Sequence, residues 1–223
     1  MVSMNKSSKK IEWVVWGGLA LVIATVALMY AVSKKGETMA LPVIGKISDF
    51  TLTNQNNEAV SLARLRGKVW VADIIFTRCP GPCAAMTDHL AELQSLLPAG
   101  DGTRIVSLSS DPEYDTPQVL SNYASKHNAD TNRWWFLTGP KKTLSELAVN
   151  DFKFVDIETK PEERTAPEDL FIHSTWYVLV DQQGRVRGWK DREGTLHAYF
   201  ESTEPEMRTN LATAVKQLLR EKN

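Results

Sequence analysis

The sequence predicts an α/β sandwich, with a central mixed sheet flanked by helices and an N-terminal hairpin, behind a single transmembrane helix. Three observations lead there: a charge-free apolar segment near the N-terminus, alternating strand-like and helix-like segments after it, and a length of 223 residues, enough for one ordinary domain plus an extra element. We expect four parts: an N-terminal cytoplasmic segment (1–12), a transmembrane helix (13–32), a linker (33–47) and the α/β domain (48–223).

The charge balance argues against nucleic-acid binding. Lysine and arginine total 26, aspartate and glutamate total 27, and the formal net charge is −1. The chain has no basic run long enough to follow a phosphate backbone. Electrostatics therefore indicates no nucleic-acid partner.

The apolar segment Trp13–Val32 predicts the membrane helix. It runs for about 20 residues without a charge, and a helix rises about 1.5 Å per residue, so it can cross the hydrocarbon core. The alternative is a cleaved signal peptide. The segment exceeds the usual apolar region of ~7–15 residues, and no A-x-A site stands out after it, so the anchor is favoured.

The charges around this helix give a weak orientation signal. Three lysines and the amino terminus precede it, while Lys34 and Lys35 follow it, which favours a cytoplasmic N-terminus. A mitochondrial transit peptide would be rich in arginine, yet the first arginine is Arg64. We therefore expect a bacterial inner (cytoplasmic) membrane, with the C-terminal domain facing the periplasm or the cell exterior.

The first predicted elements of the domain are a hairpin and a central strand. Asp49–Thr53 and Ala59–Leu62 flank a turn-rich stretch, as the two strands of a hairpin do. Val69–Phe76 is an almost continuous apolar run, which indicates a strand covered on both faces. Asp73 interrupts this run. A buried carboxylate needs a partner or a raised pKa, so Asp73 is either satisfied locally or functional.

The loop Thr77–Cys83 joins this strand to a helix whose apolar residues recur at four, three and four positions. The cysteines therefore lie where a strand becomes a helix. The remaining predicted elements are a strand at Arg104–Ser109, a helix starting at Asp115 or Thr116 before Pro117, a strand at Trp134–Leu137, a helix at Lys141–Val149, a polar surface excursion at Asp156–Asp169, a hairpin of Ile172–Val180 with Arg185–Lys190, and an amphipathic helix at Pro205–Arg220.

Cys79 and Cys83 are the two cysteines of the chain. At a helix start, unpaired N–H groups and the helix dipole stabilise a thiolate, so we expect a lowered pKa, at least for Cys79. A structural disulfide, a redox dithiol and a soft-metal site are the alternatives. A disulfide closing so short a loop would restrict the unfolded chain little. Redox pairs more usually have two intervening residues than the three found here.

A metal site would need more than the two sulfurs. Two thiolates and one histidine suit Cu(I), and a further ligand would suit Cu(II), whereas structural zinc takes four ligands. For His89, His127 and His197, a surface or capping role is favoured. His173 ends a polar loop and opens an apolar strand, a position from which its side chain can reach the end of the sheet.

Three motifs, in this order along residues 48–220, resemble those of the Sco (SenC) family of copper-delivery proteins, a membrane-tethered branch of the thioredoxin superfamily. Each is weak alone, but the three together are specific. They are Phe76-Thr77-x-Cys79-Pro80-x-x-Cys83, Asp111-Pro112-x-x-Asp115-Thr116-Pro117, and His173-Ser174-Thr175 followed by Leu179-Val180-Asp181-x-x-Gly184.

The resemblance implies a thioredoxin-like domain over 48–223 and a site for copper, as Cu(I), Cu(II) or both, made by Cys79, Cys83 and His173. It implies delivery of copper to the binuclear copper site of a respiratory cytochrome oxidase, whose copper-receiving subunit is the partner, and thiol-disulfide exchange with that site. It also places Asp111 and Asp115 near the cysteines, where they could tune the site. Asp115 is equally explained as a helix N-cap.

The cysteine loop departs from the family pattern. Many members have an acidic residue between the cysteines and a proline after the second, whereas this chain has Gly81, Pro82 and Ala84. Such a loop resembles that of a redoxin. The principal hypothesis is a copper chaperone rather than an enzyme. The alternative is a membrane-anchored thiol-disulfide oxidoreductase in which Cys79 attacks and Cys83 resolves.

Overall fold

A computed structural model of the chain describes residues 6–33, 39–79, 81–153, 175–191 and 193–221. The chain divides into an N-terminal unit of residues 1–38 and a globular unit of residues 39–223. Each unit is described by itself below.

The N-terminal unit is one helix, α1, at Lys6–Ser33. Its segment Glu12–Met29 is long and apolar enough to cross a membrane. Water would solvate such a helix poorly, because large apolar side chains project from all sides of it. The helix begins before the predicted boundary at residue 13, so the segment 1–12 is partly helical.

The globular unit is built on a mixed sheet whose order is β1-β8-β7-β4-β5-β6-β2-β3 within the described residues. β4 pairs in parallel with β5, and β5 with β6, while the other pairs are antiparallel. β11 adds to β7, and β9 with β10 forms a separate ribbon. The strands are β1 Val43–Lys46, β2 Thr51–Asn54, β3 Ala59–Ser61, β4 Val69–Ile75, β5 Thr103–Ser109, β6 Trp134–Thr138, β7 Trp176–Val180, β8 Arg185–Arg187, β9 Trp189–Lys190, β10 Leu196–His197 and β11 Phe200–Glu201.

Helices cover both faces of this sheet. One apolar core joins the sheet to α3, α4 and α6, and a second core joins the opposite face to α2 and α5. This confirms the prediction of a mixed sheet flanked by helices. The helices are α2 Leu62–Leu65, α3 Pro82–Leu96, α4 Pro117–Lys126, α5 Lys141–Glu146, which continues into a π-helical turn at Leu147–Asp151, and α6 Pro205–Leu218.

Strand β4 positions the cysteine loop. Every residue of β4 is buried, as its apolar run predicted, and every residue of β5 is buried as well. The parallel register places Val69 opposite Thr103 and Ile75 opposite Ser109, so the two strands end at the same edge of the sheet. The chain leaves β4 at this edge and enters the cysteine loop, beside the loop that follows β5.

The predicted linker at 33–47 is too long at its C-terminal end. Strand β1 lies inside it and pairs antiparallel with β8, and Ile47 is only 2% exposed. The folded unit therefore begins before residue 48. The short sequence Val-Ile-Gly-Lys has little periodicity of its own, and it becomes a strand because β8 offers an edge for it.

The hairpin prediction is confirmed by the antiparallel pairing of β2 with β3. The predicted helix Lys141–Val149 is present, but its last turn is π-helical. The predicted excursion Asp156–Asp169 and the first residues of the predicted strand Ile172–Val180 lie outside the described residues. The described part of that strand is β7.

Candidate metal centre

The loop between β4 and α3 brings the two cysteines to one end of the sheet. The Cys79 N–H donates to the Phe76 carbonyl at 3.1 Å, which closes a tight turn directly after the strand. Helix α3 then begins at Pro82, whose fixed φ and missing N–H suit a first helical turn. Cys83 follows in that turn. The N-cap residue Gly81 has no side chain and forms no capping hydrogen bond.

The two sulfurs differ in exposure. Cys79 is partly exposed, whereas Cys83 is only 4% exposed. The Cys83 thiol lies next to Cys79, and this neighbour together with burial raises the pKa of Cys83 well above its usual value. At Cys83 these effects outweigh the stabilisation of a thiolate expected at a helix start. Two adjacent sulfurs fit a soft ion such as Cu(I), which would displace the thiol proton on binding.

Asp115 fastens the start of the cysteine loop to the end of β5. Its carboxylate accepts hydrogen bonds from the Thr77 N–H at 3.2 Å, from the Thr77 hydroxyl, and from Ser109 Oγ at 2.6 Å. Burial raises the pKa of Asp115, and these hydrogen bonds oppose the rise. The explanation of Asp115 as an N-cap is wrong, because the α4 N-cap is Thr116, whose Oγ1 accepts from the Val119 N–H at 3.4 Å.

Asp111 contacts the next residue of the same loop. Arg78 donates from Nε to Asp111 Oδ2 at 3.1 Å, and from a terminal nitrogen to the same oxygen. The guanidinium carbon also lies 4.2 Å from the centre of the Tyr114 ring. The loop after β5 therefore binds Thr77 through Asp115 and Arg78 through Asp111. Both carboxylates act on the segment that leads directly into Cys79.

Asp73 lies in the middle of β4 and is fully buried. Neither of its carboxyl oxygens has a hydrogen-bond partner among the described residues. Ser107 stands opposite it on β5, and the Ser107 hydroxyl accepts a hydrogen bond from Trp134 Nε1 at 2.9 Å. Burial raises the pKa of Asp73 to about 7, and Ser107 offsets only part of this effect. Asp73 is thus not satisfied locally.

Two of the predicted surface histidines have carboxylate partners. His127 Nδ1 lies 2.7 Å from Asp88 Oδ1, and His197 Nε2 lies 2.8 Å from Asp191 Oδ2. His197 also stacks on Trp189 with 4.3 Å between ring centres. His127 is only 5% exposed and is the C-cap residue of α4, so it has the predicted capping role but does not lie at the surface.

The predicted third ligand, His173, lies outside the described residues. Within the described ranges, no three side chains of His, Cys, Asp or Glu are grouped so that they could hold a metal ion. The described structure therefore brings together Cys79 and Cys83 alone of the predicted ligands.

Sequence reasoning missed Arg78, Tyr114 and Ser109. Arg78 occupies the variable position before Cys79, so no motif signals it. A pairing with Asp111 could have been guessed from their opposite charges, but they are 33 positions apart and only the parallel register of β4 and β5 brings them together. Ser109 and Tyr114 gave no signal.

The sequence model of the SCO1/SenC family matches residues 43–208. The chain belongs to the SCO1/SenC family. The match contains the cysteine loop, Asp111, Asp115 and the position of His173. It begins at Val43, the first residue of β1.

Two known proteins are similar to most of this chain. The SCO1 protein homolog of Bacillus subtilis (strain 168) is 39% identical over 153 residues, which cover 68% of this chain and 76% of the homolog. A Stutzerimonas stutzeri protein assigned copper binding is 28% identical over 160 residues, 71% of this chain and 75% of that protein.

A solved structure extends the agreement to the fold. BsSco, described as a Sco-family cytochrome c oxidase assembly protein with a disulfide switch, is 32% identical. It superposes with a TM-score of 0.66, covering 84% of this chain and 100% of that one. The prediction of a thioredoxin-like sandwich is therefore confirmed.

Proposed function

We propose that this Sco-family chain is a copper chaperone that binds one copper ion through Cys79, Cys83 and His173. It delivers that ion to the binuclear copper site of a respiratory cytochrome oxidase. The observation that carries the proposal is the placement of two free cysteines, Cys79 and Cys83, together at the start of α3. The copper binding assigned to a relative and the oxidase-assembly role described for BsSco support it.

The difference between the two sulfurs suits a protein that must release its cargo. Cys83 is buried and holds the ion from inside, whereas Cys79 is partly exposed and can be reached by an acceptor. In a ligand exchange, an incoming thiolate from the acceptor binds the copper as Cys79 leaves it. The copper keeps its oxidation state, and the single proton that the acceptor thiol gives up on forming its thiolate is taken up by the departing Cys79 sulfur.

The helix α1 serves in this proposal as a single-pass anchor in the bacterial inner membrane. Residues before the apolar segment face the cytoplasm, and the globular unit faces the periplasm or the cell exterior. Anchoring donor and acceptor to one surface raises their effective concentration without any additional contact. The apolar length of Glu12–Met29 supports this role.

A copper titration of the detergent-solubilised full chain tests the ligand set. We expect one Cu(I) per wild-type chain in competition with a chromophoric chelator. His173→Ala should weaken binding at least tenfold, about 1.4 kcal/mol. His197→Ala is the matched control, because His197 already pairs with Asp191. Unchanged binding in His173→Ala would remove His173 from the site, and unchanged binding in Cys79→Ser would overturn the proposal.

The contact between an exposed and a buried thiol also favours a second function, an anchored thiol-disulfide oxidoreductase. The Cys79 thiolate would attack a substrate disulfide, and Cys83 would then displace the substrate, leaving a Cys79–Cys83 disulfide and a reduced substrate. The disulfide switch described for BsSco supports this alternative. Insulin reduction that is as fast in His173→Ala as in the wild type, and at thioredoxin-like rates, would favour it over copper transfer.

A further inference from the structure

Arg78 is the residue immediately before Cys79, and its side chain is fixed rather than solvated. Two of its nitrogens bond to Asp111 Oδ2, and its guanidinium lies over the Tyr114 ring. The Asp111 side chain is only 9% exposed, while that of Arg78 is 37% exposed. The contact therefore lies at the rim of the site, where it can be removed without opening the core.

The group that holds Arg78 is itself rigid. The Asp111 N–H donates to Ser109 Oγ at 3.0 Å. The Asp111 carbonyl accepts from the Tyr114 N–H at 3.1 Å and from the Asp115 N–H at 2.8 Å. The preceding Ser110 N–H donates to the Ile75 carbonyl at 2.8 Å, which ties this turn to the end of β4. Asp111 is thus a fixed point relative to the strand that leads to the cysteines.

On the helix side of the loop, the described residues include no side chain that holds Gly81 as Asp111 holds Arg78. Gly81 caps α3 without a side chain, and added atoms at its Cβ position would meet nothing within 4 Å. Along the chain, Cys79 lies between Arg78 and Gly81, and Gly81 has open space at its Cβ position. Its backbone N–H is held by Phe76, and the side chain next to it is held by Asp111 and Tyr114.

We propose that Arg78 is a positioning residue for Cys79, which it holds beside Cys83 by fixing the loop to Asp111 and Tyr114. The inference rests on the proposed function for its copper readout, but the positioning of one sulfur against the other is independent of the metal. A ligand pair held in place binds an ion more tightly than one that must be ordered on binding. Lysine at this position would keep the charge but lose the two-nitrogen contact.

The first experiment measures Cu(I) affinity of the full chain with Arg78→Ala, Arg78→Lys and Arg64→Ala. Arg64 is the matched control: it is similarly exposed, pairs with Glu58 and lies over the Trp135 ring, away from the cysteines. We expect Arg78→Ala to bind copper about tenfold more weakly, Arg78→Lys to resemble Arg78→Ala, and Arg64→Ala to match the wild type. Urea unfolding should be equal for Arg78→Ala and Arg64→Ala.

Two results would overturn the proposal. If Arg78→Ala binds copper as tightly as the wild type does, Arg78 is not needed to position Cys79. If Arg78→Lys keeps wild-type affinity, the charge matters and the position does not. Asp111→Asn should reproduce the loss, and the double variant with Arg78→Ala should lose little more than either single variant, because both changes break one contact.

A second experiment needs no copper. At equilibrium with glutathione, the dithiol gives two electrons and two protons to one oxidised glutathione, forming the Cys79–Cys83 disulfide and two reduced glutathione molecules. Looser positioning should make the disulfide several-fold less favourable in Arg78→Ala, with no change in Arg64→Ala. An equal equilibrium constant would refute the positioning role. Failure of the wild type to bind copper would refute the proposed function alone.

Discussion

Asp73 and Asp115 are both buried carboxyl groups, but their surroundings differ. Asp115 accepts three hydrogen bonds, from the Thr77 N–H, the Thr77 hydroxyl and Ser109 Oγ. Asp73 has no partner among the described residues. Burial raises the pKa of both groups, and at Asp115 the hydrogen bonds counteract it. Burial alone therefore does not reveal what an acidic residue does.

The difference separates two roles. Asp115 acts on its neighbours, because it fixes the loop that precedes the cysteines. Asp73 instead responds to its surroundings: burial raises its pKa to about 7, so its carboxyl group is mostly protonated below that pH. Once ionised, its charge also opposes ionisation of Cys83. Substitution of each residue should therefore change a different property.

The largest effect is expected from the pH dependence of stability, through Asp73. In the unfolded chain Asp73 ionises near pH 3.8, whereas in the folded chain its pKa is about 7. Its stabilising contribution is thus complete below pH 3.8 and is lost as the pH rises to about 7, with a total of about 4 kcal/mol.

Asp73→Asn should remove this decline. We expect its free energy of unfolding, relative to the wild type, to rise between pH 5 and pH 8. Urea unfolding of the detergent-solubilised chain at several pH values measures this difference. The slope is the informative quantity, because a buried amide has its own cost at every pH. Parallel wild-type and variant curves would mean that Asp73 does not titrate in this range.

A smaller effect is expected from Asp115→Ala. The change removes the acceptor of three hydrogen bonds, each of which contributes about 1 kcal/mol, so the free energy of unfolding should fall by on the order of 3 kcal/mol. Urea unfolding at constant pH is the measurement. A loss below about 1 kcal/mol would show that water replaces the carboxylate at no cost, and the contrast with Asp73 would disappear.

The smallest effect is expected from Thr116→Ala, which removes the N-cap of α4. Such a cap contributes about 1 kcal/mol, and its loss should leave the cysteine loop intact. Equal copper affinity in Thr116→Ala and the wild type, with a lower urea midpoint, would separate the cap from its neighbour Asp115. A loss as large as that of Asp115→Ala would mean that the two residues act as one unit.

The sequence predicted those parts of the fold that depend on local pattern. The apolar run of β4, the repeat along α3 and the turn between β2 and β3 each specify their element without help from distant residues. β1 escaped prediction because it is short and forms only against β8. The π-helical turn after α5 has no signature in the residue types.

The candidate site was predictable in its cysteines but not in its supports. Asp115 and Thr116 are both good N-cap residues, and only the approach of Thr77 from another loop decides which of them caps the helix. Arg78 and Asp111 meet only because β4 and β5 end at the same edge. Burial of Asp73 followed from the apolar run, but whether its carboxyl oxygens find a partner among the described residues depends on the packing around it.

The pairing of β4 has a consequence for the order of events during synthesis. One neighbour of β4 is β5, which follows it closely, but the other is β7, which pairs Trp70 with Val180 near the end of the chain. A growing chain must therefore expose one edge of β4 until β7 has emerged, and contacts so distant in sequence form slowly. During that interval both cysteines next to β4 are accessible to oxidants, because the fold that buries Cys83 is not yet complete.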